Sequence, residues 1–325
     1  MKRQPHGRLH RARGLSLIEL MVAMVIGLVV VLAVTLTYLQ TASGTRHAIL
    51  QAQMNEDGAI ALDLLVHHLR LSGYAETGAD GTRIFKGLAI RGCDGGFTAA
   101  TSKAAFDLLD CAGGAGNDVV AIRYHATLLN SPVVENSDEE MRPANCVNES
   151  IEPVGGSDVF IADNRFYVQD DSTNDNVPTL FCRGSNGAGF SDTAALVPNV
   201  ESLQLRYAVT HVPVDGVVPP HQVTALVPAG HASLAPPLGN WSRVAAVELC
   251  VVVRSQHPAP PDGVDVDELT RYLDCSGTAA TANDRRLRRA YRTTVHLANL
   301  RPVLPMPFET DGTVVSNPYR SLEAP

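Results

Sequence analysis

The stretch Gly14-Leu15-Ser16-Leu17-Ile18-Glu19-Leu20-Met21 decides how this chain is organised, because it opens an apolar run over residues 15–39. About 20 apolar residues span a bilayer as a helix, so the run is long enough to cross a membrane. Glu19 is the one charged side chain between Arg13 and Arg46. A lone carboxylate at that depth costs at least about 2.5–3.5 kcal/mol, which marks it as functional and requires a cationic partner.

The cationic partner of Glu19 has to come from outside its own apolar run. Cleavage after Gly14 would give Leu15 a free α-amine, and the amine of a neighbouring copy or relative could then neutralise the carboxylate. Two other interpretations remain. A plain membrane anchor explains the length of the run but neither Gly14 nor Glu19. A secretory signal has an apolar core of about 7–15 residues that precedes its cleavage site, whereas here the glycine comes first.

These residues resemble the N-terminal signal of type IV prepilins: a short basic leader, glycine before the cleaved bond and glutamate at the fifth position after it. Gly14 and Glu19 occupy those positions, and Leu15 replaces the usual phenylalanine. The resemblance implies that residues 1–14 are a leader. It also implies that a membrane prepilin peptidase cuts between Gly14 and Leu15 and methylates the Leu15 amine. Glu19 would then act in assembly, by pairing with the amine of an adjacent subunit.

Charge gives the chain an orientation and argues against one class of partner. The leader carries five cations and no acid, so the net charge of −8 becomes −13 once residues 1–14 are removed. Cations next to a membrane span stay in the cytoplasm, which predicts a single-pass inner-membrane protein with a periplasmic C-terminal domain. A net acidic domain argues against nucleic acid as a main partner.

Six cysteines follow the apolar run, as expected for an exported domain that forms disulfides: Cys93, Cys111, Cys146, Cys182, Cys250 and Cys275. Many pairings are possible. The one that joins sequence neighbours (93–111, 146–182, 250–275) is favoured, and the alternative is that some are buried free thiols, such as Cys250 in an apolar run. No pair has the C-x-x-C spacing of a zinc or redox motif.

Residues 15–73 are predicted to form one long helix, membrane-spanning over 15–39, because the segment contains no proline and ends at Gly73. Past Tyr38 an amphipathic stripe is expected to pack on a globular domain. Gly44 and Gly58 weaken such a helix by about 1 kcal/mol each, which would permit bending. The stripe comprises Ala61, Leu64, Leu65 and Leu69, extended by Leu50 and Met54.

Residues 74–325 have the composition of a β-rich domain, with short apolar runs between glycine-rich turns. The predicted fold class is α+β: a long N-terminal helix on an antiparallel β-sheet with long, disulfide-linked loops. Strands are predicted at 119–125, 200–209, 244–254 and 291–297, and less clearly at 159–161, 165–168 and 179–182. A short helix is predicted at 265–273, and loops at 130–157, 211–240 and 255–264.

Four further segments, 55–74, 196–207, 241–255 and 289–295, are similar in this order to sequence blocks typical of PilW-type minor pilins. The resemblance implies a subunit at or near the tip of a type IV pilus that primes assembly, with roles in adhesion and twitching motility. Its implied partners are the peptidase and methylase, other minor pilins, the major pilin and often a large tip adhesin. Alternatives are a type II secretion pseudopilin, which shares the signal and stem, and an adhesin whose own domain binds a surface ligand.

No motif for an enzyme or a cofactor occurs in the chain, which predicts a non-enzymatic protein. Asp170, Asp171 and Asp175 lie in an oxygen-rich loop and are weak candidates for calcium, although the spacing is not that of an EF-hand. A solvated turn is the favoured interpretation. The basic cluster at residues 285–289 would either dock an acidic neighbour or form a solvated loop. The adjacent His67 and His68 are expected to be solvated or satisfied in the core.

Overall fold

The computed structural model describes residues 16–78, 83–85, 87–98, 102–114, 116–187, 189–210, 223–260 and 270–300. Gly14, Leu15 and most of the predicted helix at 265–273 lie outside these ranges. The contacts divide the chain into two compact units. One comprises Met1–Ile49 with Pro260–Asp262, and the other comprises Leu50–Ala259 with Gly263–Pro325.

Helix α1 runs over Leu17–Leu71, close to the predicted 15–73. Neither Gly44 nor Gly58 interrupts it. The helix ends where Gly73 adopts a left-handed conformation with φ +73°, which glycine tolerates without a Cβ penalty. Its backbone N–H donates to Arg123 O at 2.9 Å, which ties the end of the helix to the β-domain.

The part of α1 in the larger unit buries one face, as the amphipathic pattern predicts. Ala61, Leu65 and Leu69 are fully buried, whereas Leu64 lies at the margin and is half-buried. Leu50 and Met54 continue the face one turn at a time, as the period of 3.6 residues requires. These side chains belong to the same hydrophobic core as residues of both large sheets. The predicted packing of the long helix on antiparallel sheets is therefore confirmed.

Thirteen strands form in the described residues, all in the larger unit. They are β1 (Ile90–Cys93), β2 (Val119–Ala126), β3 (Val133–Glu135), β4 (Met141–Pro143), β5 (Phe160–Asp171), β6 (Val177–Ser185), β7 (Phe190–Pro198), β8 (Val200–Thr210), β9 (Val223–Val227), β10 (Val244–Arg254), β11 (Arg271–Leu273), β12 (Ala279–Thr281) and β13 (Arg288–His296).

Two antiparallel sheets build the domain. One has the order β1-β2-β5-β6-β7 and the other the order β13-β10-β8-β9. Two small hairpins, β3–β4 and β11–β12, stand apart from them. Strands β2 and β10 are buried along almost their whole length, which explains why their sequences read as continuous apolar runs.

Several strand predictions hold, and others need correction. The predicted strands at 119–125, 200–209, 244–254, 179–182 and 291–297 correspond to β2, β8, β10, β6 and β13. Segments 159–161 and 165–168 are parts of one strand, β5. The helix predicted at 265–273 is wrong for Arg271–Leu273, which pairs with Ala279–Thr281 as a hairpin. The loop predicted at 130–157 contains the hairpin β3–β4.

Three disulfides link cysteines that are neighbours in sequence: Cys93–Cys111, Cys146–Cys182 and Cys250–Cys275. This is the connectivity favoured above, and the alternative of a free thiol at Cys250 is wrong. Cys250 lies in the middle of β10, so its bond fastens the β11–β12 hairpin to the second sheet. All six cysteines belong to the larger unit.

Candidate functional site on the N-terminal helix

Glu19 lies in the first turn of α1, and its side chain is exposed. The positive end of the helix dipole favours a carboxylate in this turn, typically by a few tenths of a kcal/mol. That is too little to offset the cost of burying a charge in an apolar medium. No cationic residue occurs between Ser16 and Thr45, so the described part of the segment offers Glu19 no counter-ion. The predicted cleavage residues, Gly14 and Leu15, lie outside the described residues.

The rest of this segment presents apolar side chains all the way round. Every large apolar side chain that the structure describes from Leu17 to Leu39 is at least half exposed. By length and composition, α1 is the one helix in the described residues that could cross a membrane. Burying a side chain of this kind is worth about 1.5–3 kcal/mol, so the segment is stable only in lipid or among other apolar helices.

The polar side chains at the end of this segment satisfy themselves. Thr35, Thr37, Thr41 and Thr45 each donate the hydroxyl to the backbone carbonyl four residues earlier, at 2.8–2.9 Å. A hydroxyl satisfied in this way can enter an apolar environment without a lost hydrogen bond. The charge of Glu19, by contrast, has no counter-ion in the described part of the segment, so it needs an external partner.

In the larger unit, α1 is fixed to strand β13 by a close contact at Gly58. A Cβ atom placed on Gly58 would lie 2.6 Å from Cε2 of Tyr291, so the absence of a side chain lets the ring approach the helix. The hydroxyl of Tyr291 donates to Asn55 Oδ1 at 2.7 Å, and Arg289 donates to the same oxygen at 3.1 Å. Sequence reasoning missed this contact. The sequence signal that could have revealed the contact is Gly58 itself, a glycine on the buried face of the amphipathic stripe.

His68 is a buried, neutral histidine on the face of α1 that packs against the β-domain. Its ring centroid lies 4.8 Å from that of Phe166, and Asn164 Nδ2 lies 3.4 Å from its Nδ1. Burial, with a smaller contribution from neighbouring His67, lowers the pKa of His68 to about 3. The side chain therefore acts as a packing group, whereas His67 points to solvent.

The basic cluster at residues 285–289, which runs into β13, is used largely inside the domain. Arg288 donates to both carboxylate oxygens of Glu201, at 2.6 and 2.7 Å, and to both of Asp284, at 2.7 and 2.9 Å. The bonds from Arg288 lower the pKa of Asp284 to about 2. Arg286 donates to the carbonyl oxygens of Ser255 and Gln256. The interpretation as a free basic docking patch is therefore wrong for these two arginines.

The calcium candidates are not brought together as a metal site. Among the described residues, no three His, Cys, Asp or Glu side chains are grouped so that they could hold a metal ion. Asp171 instead accepts bonds from the backbone N–H and the hydroxyl of Thr173, at 2.9 and 2.7 Å. These bonds close the turn between β5 and β6, in which Asp175 has φ +48°. Asp170 is exposed.

Comparison with known proteins gives two family matches. Residues 165–299 match the family described as Type IV Pilus-assembly protein W, and residues 9–35 match the Prokaryotic N-terminal methylation motif. A solved type IV-like pilin from Thermus thermophilus is 14% identical, with a TM-score of 0.31, over 76% of this chain and 97% of the other. No curated protein matches the chain. The first match includes Tyr291 and the second includes Glu19.

Proposed function

We propose that this chain is a minor pilin of the PilW type, which is held in the inner membrane by α1 and then enters a type IV pilus at or near the tip, where it helps to prime assembly. Its N-terminal methylation motif implies processing by a prepilin peptidase and assembly with other pilins. Adhesion and twitching motility follow from that position, together with contacts to other minor pilins, the major pilin and a tip adhesin.

One observation carries this proposal: Glu19 is an unmatched charge in an apolar helical segment that offers it no cation. Cleavage between Gly14 and Leu15 creates an amine one turn away along the chain, and methylation keeps that amine cationic. In an apolar medium such a pair attracts strongly, whereas either charge alone is destabilising. The amine of one subunit and Glu19 of the next would therefore fix the axial register as α1 passes from lipid into a filament.

The first test is the mature N-terminus, measured by mass spectrometry on membrane and sheared-filament fractions. N-methyl-Leu15 in both fractions is the expected result, because processing precedes incorporation. An intact Met1, or a cut beyond residue 35, would remove the amine from the site and with it the proposed role of Glu19.

The second test removes only the charge. Glu19→Gln is expected to be processed normally but to yield few filaments, because the Leu15 amine loses its counter-ion. Glu56→Gln is the matched control, since Glu56 is an exposed glutamate on the same helix but outside the apolar segment. Filament yield by electron microscopy would refute the mechanism if the Glu19 variant assembled like the control.

A secretion pseudopilin would share the signal and the helix, so the deletion phenotype has to separate the two. Loss of pili and twitching with normal protein secretion supports the pilus assignment. Loss of secretion with normal pili supports the pseudopilin. An adhesin predicts a third result: normal filament number with reduced attachment to surfaces.

A further inference from the structure

Residues 128–158, between β2 and β5, hold most of the exposed apolar side chains that the structure describes outside α1. We term this segment the excursion. Outside α1, the described residues include eight large apolar side chains that are exposed, and five of them lie in the excursion. They are Leu128, Leu129, Val133, Met141 and Val154. Leu129 is 97% exposed, at the turn that leads into β3. Clustered exposed apolar side chains of this kind mark interaction surfaces.

The backbone of the excursion is held in place by buried polar groups. Asn145 is fully buried, and its side-chain oxygen accepts bonds from the N–H groups of Val147 and Glu149, while its amide donates to Ser185 O in β6. The bond Cys146–Cys182 fastens the same point to β6. The apolar side chains are thus presented on a fixed backbone, which lowers the entropy cost of docking.

The tip of the β3–β4 hairpin is equally well defined. Asn136 Oδ1 accepts bonds from the N–H groups of Asp138 and Glu140, at 3.0 and 2.8 Å, and Glu139 has φ +62° between them. Glu135 pairs with Met141 across the hairpin, so both side chains lie on one face, and both are exposed. This register places apolar and acidic groups side by side.

The charge of the excursion is strongly one-sided. It contains seven acidic residues and one basic residue, a net charge of −6 in a chain whose total is −8. The basic residue, Arg142, is held by Glu140 and Glu152. The other five acids form no salt bridge with any described residue, and they are Glu135, Asp138, Glu139, Glu149 and Asp158. The segment that carries these apolar side chains therefore has a large excess of negative charge, and Glu135 lies beside Met141.

We infer that the excursion is a docking surface for a protein partner that presents lysine or arginine side chains around an apolar pocket. Leu129 is the anchor, because it is the most exposed apolar side chain in the described excursion. The carboxylates orient the partner and speed its encounter. A second copy of this acidic chain is disfavoured by like charge, and so is an anionic bilayer surface. The inference goes beyond the proposed function, because it requires neither Glu19 nor incorporation into a filament.

The test places the photo-crosslinking residue p-benzoylphenylalanine at position 129 of the full chain, produced in its native host. A discrete product with a different protein is expected, with the crosslinked peptide of that protein rich in lysine or arginine. Position 273 is the control, because Leu273 is 61% exposed but lies on β11. The inference is overturned by the absence of a product at 129, or by a product with lipid, with a second copy, with residues 301–325 of the same chain, or with a neutral or acidic surface.

A charge-reversal pair tests the electrostatic part separately. Asp138→Lys/Glu139→Lys is expected to abolish the product at position 129, because it places two cations at the hairpin tip. Asp170→Lys/Asp175→Lys makes the same change in charge at two exposed positions, one at the end of β5 and one in the turn that follows it, and should leave the product intact. Equal thermal midpoints establish that all variants fold. Retention of the product in the first variant would overturn the assignment of a basic partner.

Discussion

Gly58→Ala tests the contact that fixes α1 to β13. The new methyl group would lie 2.6, 2.7 and 2.9 Å from Cε2, Cδ2 and Cζ of Tyr291, distances at which the ring has to move. The ring cannot move freely, because the Tyr291 hydroxyl donates to Asn55 Oδ1. The substitution therefore combines two opposite effects, a gain in helix propensity and a steric cost.

The two effects have known sizes. Replacing glycine by alanine inside a helix contributes about 1 kcal/mol, whereas overpacking costs about 1–3 kcal/mol. The expected net effect is a loss of about 0–2 kcal/mol of unfolding free energy, or up to about 8 °C in Tm. In a Tyr291→Ala background the obstacle is gone, so Gly58→Ala should instead raise the unfolding free energy by about 1 kcal/mol.

The assay is thermal unfolding of the full chain in detergent, followed by circular dichroism with the disulfides intact. Tyr291→Phe is the matched control, because it removes the hydroxyl but keeps the ring. Gly58→Ala should be less destabilising in that background, because the ring is released from Asn55, and should become clearly stabilising only with Tyr291→Ala. If Gly58→Ala changed stability by the same amount and sign in all three backgrounds, the steric explanation would be refuted.

Three more predictions concern the same domain. The pKa of His68 is about 3 in the folded chain, whereas an ordinary histidine has a pKa of 6.5, so the unfolded chain takes up the extra proton. Stability should fall as pH drops from about 6.5 towards 3, by up to about 1.4 kcal/mol per pH unit, and His68→Gln should flatten this slope in pH-dependent denaturation. Replacing Cys146 and Cys182 by alanine should cost about 3–4 kcal/mol in urea titrations, because the bridge closes a loop with a sequence separation of 36 residues; an unchanged midpoint would contradict this. Arg165→Leu should lower the free energy of unfolding by about 3–5 kcal/mol in the same titrations, because it leaves the buried carboxylate of Asp163 without the two hydrogen bonds, at 3.0–3.1 Å, that Arg165 donates. Arg183→Leu, on the neighbouring strand, serves as the comparison.

The elements that can be predicted from sequence are those whose signal is local. Helix α1 follows from the lack of proline and from the period of its apolar residues, and β10 (Val244–Arg254) is predicted to the residue because it is a long apolar run. Strand β1 (Ile90–Cys93) escapes prediction, since four residues containing Gly92 show no alternation. The hairpin at Arg271–Leu273 has a helix-like sequence, because its pairing with β12 and its tether through Cys275 are tertiary features.

The same distinction applies to the candidate site. Glu19 stands out from sequence alone, because a charge in an apolar run is unusual wherever the chain goes next. Gly58 does not stand out, because the residue that requires a glycine there, Tyr291, is far away in sequence. Gly92 is a second case: a Cβ there would meet the Tyr207 hydroxyl, so this glycine also makes room for a distant tyrosine. From the sequence alone, a glycine inside a helix or strand indicates only that the element is locally weak. In the folded chain, a glycine on the buried side of the element provides space for a distant side chain.

The order of the disulfides has a consequence for how the domain matures. Each cysteine is bonded to the next one along the chain, with sequence separations of 18, 36 and 25 residues. A chain that enters an oxidising compartment from its N-terminal side therefore presents each thiol with its correct partner before the following pair arrives. Oxidation can proceed in the order of translocation, and no wrong bridge has to be undone. Maturation should thus depend on a thiol oxidant but remain indifferent to the loss of a disulfide isomerase.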